Sequence, residues 1–198
     1  MNTDILVTGF EPFGQESLNP SQLLMEAVRD RVHTCLLPTS YIRSMETLQP
    51  VLEHLCPRAV LCIGQAGGRS ALTLERIGIN WMEASIPDND GRLFTGQQID
   101  PLGPGGYLST LDVSGLIQSL RDAGLAAQVS LSAGSFVCNR VLYGVLHWAA
   151  AHHSSMQVGF LHVPFLPEQV VDKPEKPSME FSRMLQGVHL LLDAITPK

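Results

Sequence analysis

Positive charge is scarce in this chain of 198 residues, with thirteen Lys and Arg against nineteen Asp and Glu and a formal net charge of −6. No Lys/Arg cluster occurs anywhere along it. That balance argues against a nucleic-acid surface or an anionic membrane as partner. Long apolar runs are missing too. No stretch approaches the roughly eighteen apolar residues that a bilayer span needs. The start, Met1-Asn2-Thr3-Asp4, has neither a basic region nor an apolar stretch, so no secretory signal is read there. Cysteine is limited to Cys35, Cys56, Cys62 and Cys138, far apart and three of them in apolar settings. Without a signal, free thiols in the cytoplasm are the expectation rather than a disulfide framework. None of the seven histidines stands at metal-ligand spacing from a cysteine or carboxylate, so neither a metal nor another cofactor is expected.

What remains is ordinary for a folded protein: 44% hydrophobic and 16% charged residues, enough for one domain over residues 1–198 with a sizeable core. Strand-length apolar runs alternate with segments of helical period, which predicts an α/β fold with a largely parallel sheet. The expected strands are 4–8, 34–37, 59–63, 74–80, 128–132 and 158–163. The expected helices are 20–31, 43–55 with a bend or break at Pro50, 113–123, 137–152 and 179–195. Two long loops, 87–106 and 164–177, are long enough to be functional.

Cys138 is the residue most suited to chemistry. It follows the small-residue loop Ser132-Ala133-Gly134-Ser135 and lands at a predicted helix start. Unpaired N–H groups and the helix dipole there favour a thiolate and could hold an oxyanion. A buried structural thiol is the competing reading. A thiol nucleophile needs a base, and His162 ends the strand 158–163 on the carboxyl side, where sites collect in open α/β sheets. Glu75 is an acid within an apolar strand. It could orient the imidazole, or pair with Arg76 on an edge strand. Phe10 and Phe13, in the turn Gly9-Phe-Glu-Pro-Phe-Gly14, could cap a core or sandwich a flat ring.

These segments occur in one order: Thr8–Gly14, Asn19-Pro-Ser21, Gly64-Gln-Ala-Gly-Gly-Arg69, Glu75 to Asn80, Ile86-Pro-Asp-Asn89, Gly134 to Asn139, and Gly159-Phe-Leu-His-Val-Pro164 with Pro167-Glu-Gln169. The set closely resembles the pyroglutamyl-peptidase I (pyrrolidone-carboxylate peptidase) family. The resemblance implies a three-layer α/β/α sandwich around a mostly parallel, twisted mixed sheet. It implies a cysteine exopeptidase that hydrolyses the amide bond after an N-terminal pyroglutamyl residue through a thioacyl-enzyme intermediate. Its triad falls on Cys138, His162 and Glu75. Phe10 and Phe13 would cover the ring, Gln65 would meet the lactam, and Thr39, Ile86, Phe136 and Val137 would line the rest. Peptides with N-terminal pyroglutamate are the implied partners, and the same resemblance implies a homo-oligomer, dimer or tetramer. A neutral lactam suits an apolar slot with a few amide partners, whereas a free ammonium there would be desolvated without a counter-charge. Family members usually carry Arg where this chain has Ser85. A catalytically weak pyroglutamyl-peptide-binding protein is therefore the alternative, and another thiol hydrolase of the same fold a third.

Overall fold

The structure, a computed structural model, describes residues 2–152 and 154–195. Among these described residues, ten strands and five helices follow in the order β1 (Asn2–Phe10), α1 (Pro20–Ala27), β2 (Val32–Leu37), α2 (Arg43–Leu55), β3 (Ala59–Gln65), β4 (Leu72–Glu75), β5 (Ile77–Ile79), β6 (Met82–Glu83), β7 (Thr95–Gln97), β8 (Gly106–Leu108), α3 (Val113–Asp122), β9 (Ala127–Ser130), α4 (Val137–Ala151), β10 (Gln157–Val163) and α5 (Phe181–Ile195). A 3-10 helix, Pro167–Val170, lies between the last two.

Six strands form one mixed sheet in the order β2-β1-β3-β10-β4-β9. Every pairing is parallel except β10 with β4, which is antiparallel and joins only Leu161 to Leu74 and His162 to Thr73. Alternate side chains of each strand feed two cores. Ile5, Val7, Leu61, Ile63 and Leu161 pack with α1, α3 and α5 on one face. Leu6, Val60, Cys62, Val158 and Phe160 pack with α2 and α4 on the other. This α/β architecture, five helices around a mostly parallel sheet, is the one expected.

Local chemistry sets the element ends. Asn19 caps α1 by accepting the Ser21 N–H at 3.0 Å, with Pro20 at the first helical position. That helix stops at Ala27, short of the expected Arg31, because i→i−3 bonds from Val28 and Arg29 tighten its end before β2 begins. Of the bend or break expected at Pro50, the break does not occur: helix α2 runs on through it. Pro50 is on the solvent side, so the carbonyl it leaves without a donor can take water.

The segment 74–80 is not one strand. Arg76 is the swivel: its N–H bonds to Ser130 on one side at 2.7 Å, and its carbonyl accepts from Ser109 on the other at 2.9 Å. Glu75 thus ends β4 inside the central sheet. Beyond Arg76, β5 pairs with β8 in a separate ribbon lying against α4. The expected loop 87–106 contains β7, paired with β6.

Candidate active site

Three neighbouring strand ends and one helix start converge on a cavity of about 220 Å³. His162 comes from β10 and Gln65 from the end of β3, one register step apart on paired strands. Cys138 is the second residue of α4. The helix start is fixed by Asn139, fully buried, whose side chain pairs with both backbone groups of Ile79 at 2.9 Å and donates to the Trp81 carbonyl at 3.0 Å. Gly64 completes the geometry from below. A Cβ there would meet the Phe160 ring at 2.8 Å and Cys138 Sγ at 3.0 Å, so the missing side chain is what lets the sulfur rest against the sheet.

Glu75 is wholly buried, and its Oε1 lies 2.7 Å from His162 Nδ1. The strand carrying it is flanked by β10 and β9 and is not an edge. The expected alternative partner, Arg76, turns away to Ser114 Oγ at 2.7 Å. Arg69 takes its place, with Nη1 donating to the same Oε1 at 2.6 Å and Nη2 to the Ser132 carbonyl at 3.3 Å. Glu75 Oε2 is buried with no hydrogen-bond partner among the described residues. Ser130 lies nearby but gives its proton to the Ser132 carbonyl at 3.0 Å.

The charge states follow. Burial alone would raise the Glu75 carboxyl, but the His162 hydrogen bond and charge, with the charge of Arg69, hold it below the ordinary carboxylate range. An ionised Glu75 can only accept, so His162 Nδ1 carries the proton and Nε2 is the free acceptor. Burial pushes the His162 pKa down, against the pull of Glu75. Burial pushes the Cys138 thiol up to about 12; the charges of Glu75 and Cys62 add to this, while Arg69 and the residue's own N–H oppose it. The resting site therefore holds a thiol and a neutral imidazole. The direction is opposite to the lowered thiol pKa expected from the sequence.

Of the expected pocket residues, Phe10, Phe13, Thr39, Gln65, Phe136 and Val137 line this cavity together with Cys138 and His162. The Phe13 and Phe136 rings lie 5.9 Å apart, tilted 43° to one another, and Phe10 is 6.3 Å from Phe160. Ile86 is the exception. It is 44% exposed and lines a shallower depression with Ser85, Ser135 and Phe136. Its strandless segment follows the β6 end outward, so the motif position does not carry the side chain inward. Arg69 and Asn19 also line the cavity, though neither was expected as a site residue. Arg69 closes the glycine-rich turn after β3, a position whose only signal was a lone cation among glycines.

The comparisons with known proteins concern the chain as a whole. The family model for pyroglutamyl peptidase matches residues 3–198. The chain belongs to the pyroglutamyl peptidase family. A pyrrolidone-carboxylate peptidase of Bacillus thuringiensis (strain Al Hakam) is 38% identical over 198 residues, covering 97% of this chain and 92% of the relative. Among solved structures, pyroglutamyl peptidase I of Bacillus amyloliquefaciens superposes with a TM-score of 0.91 at 34% identity, over 94% of this chain and 91% of that one. A mutant pyrrolidone carboxyl peptidase of P. furiosus gives 0.92 at 35% identity, over 96% and 97%. Membership in the pyroglutamyl peptidase family places the cavity in a fold shared across its whole length with peptidases of this kind.

Proposed function

We propose that this chain is a cytoplasmic cysteine exopeptidase, one catalytic domain over residues 1–198, that removes pyroglutamate from peptide amino termini. The observation that carries the reading is His162, held by buried Glu75 at 2.7 Å and sharing one apolar cavity with Cys138. Its chemistry needs no cofactor. As Cys138 Sγ attacks the scissile carbonyl carbon, His162 Nε2 takes the thiol proton. Glu75 holds the imidazole in the competent tautomer and stabilises the imidazolium that forms. N–H groups at the start of α4 face the developing oxyanion. When the tetrahedral species collapses, the C–N bond breaks and His162 returns the proton to the leaving amine. Water then attacks the thioester with His162 again as base, releasing pyroglutamate and restoring the thiol.

The lining supports the substrate class. Phe13 and Phe136 offer ring faces to a flat lactam, and the Gln65 amide offers a polar partner. Release of dye from a pyroglutamyl amide by the purified protein tests the reading. Cys138→Ala should lose several orders of magnitude in kcat. Near wild-type turnover in that variant would refute the mechanism. Tight binding of pyroglutamyl peptides without turnover in the wild type would favour a binding protein instead.

A further inference from the structure

The proline-rich segment after β10 carries Gln169 on the 3-10 helix Pro167–Val170, and this residue reaches the candidate pocket from behind. Its side chain is only 6% exposed, and that of Gln65 is 7% exposed. Gln169 Nε2 donates to Gln65 Oε1 at 2.9 Å. The same nitrogen faces Glu16 Oε2 at 3.1 Å and the Leu18 carbonyl at 3.3 Å, while Gln169 Oε1 accepts the Leu166 N–H at 3.0 Å. Glu16 is in turn held by Lys173 Nζ at 2.7 Å.

This arrangement leaves the Gln169 amide one orientation. Turned over, it would set its N–H2 against the Leu166 N–H and its oxygen against a carboxylate and a carbonyl. With Gln169 so fixed, Gln65 must give it an acceptor, which is Oε1. Gln65 Nε2 then bonds to no described residue and is the end left for the cavity that Gln65 lines. A donor there calls for an acceptor on the ligand.

We propose that Gln169 is a positioning residue that sets the Gln65 amide so that the pocket presents N–H donors, and thereby selects five-membered rings bearing a carbonyl oxygen over otherwise similar rings without one. This inference rests on the pyroglutamyl reading above and names which atom of the ring is recognised. A lactam carbonyl satisfies Gln65 Nε2. A prolyl ring leaves it unpaired in a closed site, and a site built to hydrogen-bond a group rejects analogues lacking it far more strongly than an apolar slot does.

Kinetics of Gln169→Met on pyroglutamyl and prolyl amides test it. Methionine keeps the length and volume but frees Gln65 to turn. Expected is about a tenfold or greater fall in kcat/KM for the pyroglutamyl amide, the size of one lost hydrogen bond. The fall should lie mainly in KM. Cleavage of the prolyl amide should not fall, so discrimination narrows by the same factor, and iodoacetamide should alkylate Cys138 at the wild-type rate. A merely structural role would lower both substrates together through kcat. Should Gln169→Met not fold, Gln169→Glu serves, since it keeps the acceptor for the Leu166 N–H and replaces the donor facing Gln65 with oxygen; it should show the same rise in KM. Unchanged discrimination and KM in the folded variant overturns the inference alone. A wild type that cleaves no pyroglutamyl amide overturns the reading beneath it.

Discussion

At the scale of single residues, the site is governed by burial more than by the helix end. Cys138 is raised to about 12 by desolvation, with Glu75 adding to the shift. The expected consequence is an alkylation profile unlike that of a preformed thiolate–imidazolium pair. Iodoacetamide modification should climb with pH through and beyond about 8.5, the ordinary thiol range. Glu75→Gln, which removes a charge that disfavours the thiolate, should move the midpoint down. Rapid alkylation of the wild type near pH 5–6 would show that the ion pair exists at rest and that burial has been overcome. Residue chemistry also bears on Ser85. It lies at the outer depression with Ile86, while Arg69 already brings a guanidinium to Glu75. Arg140 lines a different cavity, with Tyr143 and His147, and Arg92 is exposed. The cation of the site thus comes from the glycine-rich turn.

At the scale of elements, the start of α4 is held without a side-chain cap of its own. Asn139 supplies the anchorage by pairing with Ile79 as a strand neighbour would. Asn139→Ala should cost about 3 kcal/mol, since it leaves buried backbone groups of Ile79 and Trp81 unpaired. The measurement is urea unfolding at neutral pH, and a loss under about 0.5 kcal/mol would show that β5 and α4 are fastened by packing instead. Strands β1, β3 and β10 were legible because continuous apolar runs mean burial on both faces. So were the Cys138 helix start and the His162 strand end. The break at Arg76 was not, because it depends on the Ser130 carbonyl and the Ser109 N–H, 54 and 33 positions later in the chain (76 to 130 and 76 to 109). Strand β7 is exposed throughout and shows no alternation to read. Pro50 misled through its rule for helix interiors, which weakens where water can reach the bereft carbonyl.

At the scale of the whole molecule, two buried groups tie stability to pH in the same direction. The unfolded chain takes a proton on His162 near pH 6.5, whereas the folded chain, with that pKa lowered, does not. Stability should therefore begin to fall as pH drops below about 6.5. Glu75, lowered in the fold, adds stability that is present above the unfolded carboxylate value of about 4.3 and is lost as pH falls through its folded one. Thermal melts should be flat from about pH 7 to 8 and decline below 6.5 in steps assignable to these groups. His162→Gln should flatten the upper part of the decline, and an unaltered slope in that variant would assign it to other histidines. The seam between β10 and β4 has a consequence of a different kind. His162 and Glu75 are 87 positions apart and meet across two paired residues, where strands running one way abut strands running the other. Loop-closure entropy delays such a contact, as it delays the β3–β10 pairing, 98 positions apart (59 to 157). During refolding each half of the sheet can become ordered alone, yet neither half holds both imidazole and carboxylate. Catalytic competence would then appear only when the halves join, which makes turnover a clock for the last step of assembly.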